Sequence, residues 1–327
     1  MENSFKNYNF VESGSREARM TEIEEKLYDV LVVKKEAGVP AAEGRINPKD
    51  FSYYSPEVVE RDMKYVEKME GIFRNEEIRD PELARQRRRG ELFEEIIFEG
   101  IEEGDWMGGG AEVERSSRFD DIVNGIDGII TFEEEVSSSH MAFGVDVTQS
   151  AESVHDKFKR IRDSVDAGTL SEVKYFKREG YEGRLLKVPR VVIGIDHAGM
   201  KQAAEVVYSF ISKRNYLRTQ KFKDPVIKQK FLEAQEAFAK SLFQMVVLLE
   251  MSIQLHAFAD YCRKKQRGRE AGIYDNAARK VDAIFNEKKM AKDKDGNSLV
   301  DTKALYDYLE NDKVYLMIRR EIEAFAS

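Results

Sequence analysis

Two aspartates each touch an apolar run only as long as one strand. Asp127 precedes Gly128-Ile129-Ile130-Thr131-Phe132, and Asp146 is embedded in Met141-Ala142-Phe143-Gly144-Val145-Asp146-Val147-Thr148. Both runs are short and partly β-branched, so both are expected to be strands. Ser137, Ser138 and Ser139 between them read as a hairpin connection, and Val154, Phe158, Ile161 and Val165 then mark one face of a helix. This placement constrains the fold more than any other feature. A lone carboxylate is costly to bury against a sheet unless it is paired or bound to a cation. Two of them on adjacent strands, with a lysine nearby, make an oxygen-rich cage. Such a cage suits a hard divalent cation such as Mg²⁺ and the activation of water against a phosphodiester. The alternative is a pair of strand-end acids exposed at a sheet rim.

The surrounding chain reads as helical. Glu22 to Lys35 carries Ile23, Leu27, Val30 and Leu31 on one side, and Gly38, Pro40, Gly44 and Pro48 mark the loop after it. Ser55-Pro56 and Asp80-Pro81 each place a capping residue before a proline, the signature of a helix start. The second of these helices carries Glu91, Glu94, Glu95 and Glu99. Glu94 lies three, four and seven residues before Ile97, Phe98 and Ile101, beside the apolar face. Trp106, the sole tryptophan, is expected to anchor the core. Ala111 to Arg118 would supply a first strand. Asp120 and Asp121 precede Asp127 by seven and six residues. Either would extend the acidic set, with Asp121 taken as the ligand, unless the segment is a plain turn closed by Asn124-Gly125.

Gly168 to Lys187 reads as irregular, and Pro189 to Ile195 as a buried strand leading through an Asp196 cap into a helix. From Lys228 to about Lys265 the pattern is helical throughout. The stretch Leu242–Met251 is apolar nearly all round, so it should be buried against the core or a second chain, with His256 packed nearby. A homodimer through these carboxyl-terminal helices is one expectation. The stretch is too short and too flanked by charge to be expected in a membrane. Asp293, Asp295, Asn297 and Asp301 resemble a calcium loop. However, Ser298 stands where such a loop needs glycine and Ala304 where it needs a bidentate glutamate, so a helix–helix turn is the favoured reading.

Charge bears on partners. The chain of 327 residues is 35% charged with a net charge of −8, which counts against a nucleic-acid surface unless basic residues are clustered. Clusters occur at Arg85–Arg89, at Lys157–Arg162, and from Lys213 to Lys230. Each would meet phosphate, or else simply form a solvated helix face. Cys262 is the single cysteine, which rules out an intramolecular disulfide and makes a reducing, cytoplasmic setting the expectation. The polar amino terminus reads as no secretory signal.

The segment from Arg85 to Lys213 resembles the core of the PD-(D/E)XK nuclease superfamily, which has a helix with a glutamate, an acid opening one strand, and an acid-x-lysine on the next. The resemblance implies an α/β chain with a restriction-endonuclease-like αβα core and a small mixed sheet, embedded in a largely helical protein. Residues 1–84 would be a helical extension, 85–213 the nuclease-like core and 214–327 a helical region. The resemblance also implies that Asp127 and Asp146 hold Mg²⁺ or Mn²⁺, that Asp121 adds a ligand, and that Glu94, or next Glu95, assists. Thr148 occupies the position of the family lysine. Divergent members supply that lysine from the following helix, which points to Lys157, flanking Val154 and Phe158, ahead of Lys159. The expected activity is metal-dependent hydrolysis of nucleic acid, DNA first. The competing expectation is a non-catalytic helical scaffold that keeps a nuclease-like core.

Overall fold

A computed structural model describes residues 20–33, 44–133, 140–178, 180–219, 225–292 and 295–326. The serine connection at 137–139, the first fourteen residues, Lys221, Lys223, and Asp293 of the calcium-like loop lie outside the described residues.

The strands expected around Asp127 and Asp146 form the centre of a four-stranded sheet. It comprises β1 (Ala111–Arg115), β2 (Gly128–Glu133), β3 (His140–Thr148) and β6 (Arg190–Gly194), in the order β1-β2-β3-β6. The first three run antiparallel, with Ile130 opposite Phe143, and β6 lies parallel to β3 with Val192 opposite Asp146. A parallel neighbour requires a crossover, and α5 (Ala151–Ala167) begins it. The chain is thus a mixed α/β protein, mostly helical, with a small mixed sheet.

The helix starts written as cap-then-proline are α2 (Pro56–Arg79) and α3 (Pro81–Glu102). Asp80 caps α3, its carboxylate accepting from the backbone N–H groups of Glu82 and Leu83 at 3.0 and 3.3 Å. Leu92, Phe93, Ile96, Ile97 and Phe98 on α3 enter the main core together with Val145 of β3 and Phe158 of α5. The same core takes in Leu27 of α1 (Glu22–Leu31) and Phe325 of the terminal helix α11 (Lys313–Ala326), so residues from all three sequence segments share it.

Residues 171–188 are a hairpin, β4 (Ser171–Arg178) and β5 (Tyr181–Val188), where the sequence suggested irregular chain. Tyr175 and Phe176 are buried in succession, and the register irregularity there breaks the alternation that marks a strand. Two buried carboxylates clip the hairpin down. Asp120 accepts from the backbone N–H groups of Lys174 (2.7 Å) and Tyr175 (3.0 Å), and Asp62 of α2 accepts from the Tyr175 hydroxyl (2.7 Å) and pairs with Lys174.

The long carboxyl-terminal helical pattern is interrupted before Leu242. It divides into α7 (Pro225–Ala239) and α8 (Leu242–Lys264), with the Ser241 hydroxyl capping the second. By length and composition this apolar run would pass for a membrane span, but most of it is buried in the fold. Helix α8 packs on β6, on α9 (Gly268–Met290) and on α11 of its own chain. It also seals the outer edge of β6. Gln254 accepts from Val192 N–H (2.9 Å) and donates to Val192 C=O (2.7 Å), while Glu250 accepts from Gly194 N–H (2.9 Å). These two side chains do the work of a further strand, and an uncovered edge is a liability. His256, by contrast, is more than half exposed and pairs with Asp282, so it is not packed in the core.

Burial drives the Glu250 carboxyl well above its ordinary range; the Gly194 N–H opposes this and Asp312 adds to it. A carboxyl raised on folding binds more protons in the folded state. Its contribution is therefore complete below the unfolded pKa near ~4.3 and is lost as pH climbs toward the folded pKa. Glu250→Gln removes that dependence while keeping an acceptor for Gly194. Its melting temperature should gain on that of wild type as pH rises from acid to mildly alkaline. A difference that stays flat with pH would mean that Glu250 ionises normally.

Candidate active site

Asp127 is fixed by backbone on both sides. Its N–H donates to Val145 C=O (2.9 Å), and its C=O accepts from Ser116 N–H (3.1 Å). Its carboxylate crosses to β3 and accepts from Val147 N–H at 2.6 Å. On β3 the side chains alternate, so Val145 and Val147 enter the main core while Asp146 projects from the opposite face. Asp146 is only 2% exposed and Asp127 only 6%. Neither is a rim acid.

Lys157 reaches this pair from α5. Its ammonium group bonds Asp146 Oδ1 and donates to Val147 C=O at 3.1 Å. Lys159 is exposed. Thr148 is engaged locally: its hydroxyl accepts from Ser150 N–H (3.1 Å) and bonds the Ser153 hydroxyl (2.6 Å), shaping the turn into α5.

On the far side lies a second group. Arg45 bonds Glu94 Oε2 at 2.9 Å and sits 3.3 Å from Asp121 Oδ2, which also pairs with Arg118 at 2.5 Å. Arg45 is held in place because the neighbouring Ile46 N–H donates to Arg115 C=O at the end of β1 (3.2 Å). A single arginine in an irregular stretch gives no periodic signal, and sequence reasoning passed over it. Glu95 faces elsewhere, paired with Arg115 at 2.8 Å. Asp120, one residue from Asp121, is taken up by the hairpin and by the Ser117 hydroxyl and the Asn124 amide (2.6 and 2.7 Å). It has no capacity left for a ligand.

The electrostatics follow from burial. Burial pushes Asp127 up to about 7, with Asp121 and Asp146 adding to the rise and Lys157 and the Val147 N–H opposing it. Glu94 is driven well above the ordinary range by burial and by the charges of Asp127 and Asp121, against the pull of Arg45. Burial alone would lower Lys157, but Asp146 and Asp127 outweigh it and hold its ammonium form. Arg45 is raised in the same way by Glu94, Asp121 and Asp127. Four carboxylates (Glu94, Asp121, Asp127 and Asp146) thus share Arg45 and Lys157, with Arg118 at the rim.

Asp146 Oδ2 is buried with no hydrogen-bond partner. Gly125 lies beside it, and its left-handed backbone (φ 62°) closes the short helix α4 (Arg118–Asn124). A methyl group there would stand 3.5 Å from Asp146 Oδ2. An unsatisfied carboxylate oxygen in an acid-rich setting is the donor chemistry a hard divalent cation takes. Among the described residues, though, no three His, Cys, Asp or Glu side chains converge as a ready-made metal shell. A cleft of about 750 Å³ opens against Arg45, Glu91, Glu94 and Arg118.

No protein-family model matches this chain, and no curated protein or solved structure does.

Proposed function

We propose that this chain is a divalent-metal-dependent nuclease with a restriction-endonuclease-like core, in which the lysine has moved from the strand to helix α5. The observation that carries the reading is the meeting of Asp127, Asp146 and Lys157 at one point, with Asp146 Oδ2 left without a partner. The order of elements supports it: a glutamate-bearing helix, three antiparallel strands, a crossover helix and a parallel strand.

Asp127 and Asp146 would hold Mg²⁺ or Mn²⁺, with Asp121 within electrostatic reach of Asp127. The cation supplies positive charge to the phosphate and lowers the pKa of a bound water. Lys157 supplies the countercharge to Asp146. Because its own pKa is raised, Lys157 holds its proton near neutral pH, so it stabilises developing negative charge and does not act as a base. Glu94, whose carboxyl burial drives well above its usual range, would assist by proton transfer.

The test is incubation of the full chain with single-stranded, duplex and branched DNA and with RNA, in Mg²⁺ or Mn²⁺ and in EDTA. Metal-dependent cleavage of any substrate supports the reading, and the panel identifies the class. A second reading, a non-catalytic scaffold, is favoured by the Arg45–Glu94–Asp121 bridges, which supply countercharge from within the chain. No cleavage under any condition would leave that reading in place.

A further inference from the structure

Two arginines meet at Gly125, beside the same aspartate. A methyl group on Gly125 would stand 2.9 Å from a guanidinium nitrogen of Arg160, 3.1 Å from one of Arg190 and 3.5 Å from Asp146 Oδ2. The two guanidiniums therefore lie within about 6 Å of each other, where like charges repel. Arg190 opens β6 and is 3% exposed. It donates to the carbonyls of Asn124 (2.6 Å) and Gly125 (3.3 Å), and its Nε is buried without a partner. Arg160 is exposed, and among the described residues it makes no ion pair with an acid. It lies three residues after Lys157 on α5, a spacing that puts both on one side of the helix.

We infer that Arg160 and Arg190 form a phosphate clamp that seats a nucleic-acid backbone phosphate beside Asp146. This rests on the nuclease reading. A guanidinium is a planar fork of donors that matches phosphate oxygens, and an anion between two of them turns their repulsion into attraction. Arg190 is the fixed half, pinned by the carbonyls of the α4–β2 turn. Arg160 is the accessible half, which meets the ligand from solvent. Glycine at 125 lets the Arg160 guanidinium approach this closely, since a methyl group there would collide with it.

The experiment separates binding from cleavage. A fluorescent oligonucleotide is titrated with wild type, Arg160→Ala and Lys159→Ala in EDTA, and affinity is followed by anisotropy over a range of salt. Lys159→Ala removes the same charge from a neighbouring exposed position. Arg160→Ala should weaken binding by about ten- to a hundredfold, the worth of a charge-assisted hydrogen bond, and flatten the salt dependence by about one counterion. Lys159→Ala should stay within about twofold of wild type. Equal losses in both variants, no loss in Arg160→Ala, or no binding by wild type would each overturn the clamp. Wild-type cleavage with unchanged Arg160→Ala binding removes the clamp and leaves the nuclease reading intact. Selective loss in Arg160→Ala, with no cleavage by wild type in any metal, removes the nuclease reading and upholds the anion site.

Discussion

On the proposed nuclease reading, Asp146→Asn should abolish metal-dependent cleavage while leaving the protein folded. Changing groups that only orient a metal ligand costs about 10- to 100-fold, so loss of a ligand itself should exceed that. Asparagine keeps the shape of the side chain and an oxygen for Lys157, which also retains its bond to Val147 C=O. Asp146→Ala is the harsher change. It strands a largely buried ammonium, and breaking such a pair costs about 3–5 kcal/mol when burial is complete, less here because Lys157 is one-fifth exposed. The pair of variants therefore separates chemistry from folding. Rates are read on the preferred substrate, with circular dichroism and melting beside them. An Asp146→Asn protein that cuts at the wild-type rate would remove Asp146 from the reaction.

Trp106→Ala should be among the most destabilising single changes in the chain, costing about 3–5 kcal/mol. The indole is 1% exposed, donates from Nε1 to Phe238 C=O at 3.1 Å and packs on the Phe238 ring with centroids 5.4 Å apart. It joins α3 to α7, elements far apart in sequence. Its ring lies on Gly100, where an added methyl would stand 2.4 Å from the indole, so Gly100→Ala should also destabilise, by overpacking in place of a cavity. Denaturant titration measures both. A Trp106→Ala midpoint within about 1 kcal/mol of wild type would show that the site collapses around the gap.

Much of the local structure was legible in the chain. Cap-then-proline pairs marked α2 and α3, and apolar runs marked β2, β3 and β6. The apolar face Val154, Phe158, Ile161 and Val165 is buried as its spacing implied. What was misread had a weak or misleading local signal. The β4–β5 hairpin loses its alternation where Tyr175 and Phe176 are buried in succession at a register irregularity. The break at Ser241 is a hydroxyl cap within an otherwise helical pattern. His256 sits on a largely apolar helix, and only packing decides that its own face meets solvent and Asp282.

The sequence by itself determined most of the elements, though not the β4–β5 hairpin or the break at Ser241, because helix and strand periods, caps and prolines act over a few residues. It also placed Asp127 and Asp146 on neighbouring strands. Only the tertiary structure decided which charges meet. Lys157 reaches Asp146 because α5 folds back along β3, and Arg45 reaches Glu94 across 49 residues of chain. Asp120 and Asp121 are adjacent in sequence but point about 100° apart on α4. One clips a hairpin and the other joins the acidic cluster. Pairing, burial and the resulting shifts in proton affinity are long-range quantities, set by where the chain returns and not by the residues next to it.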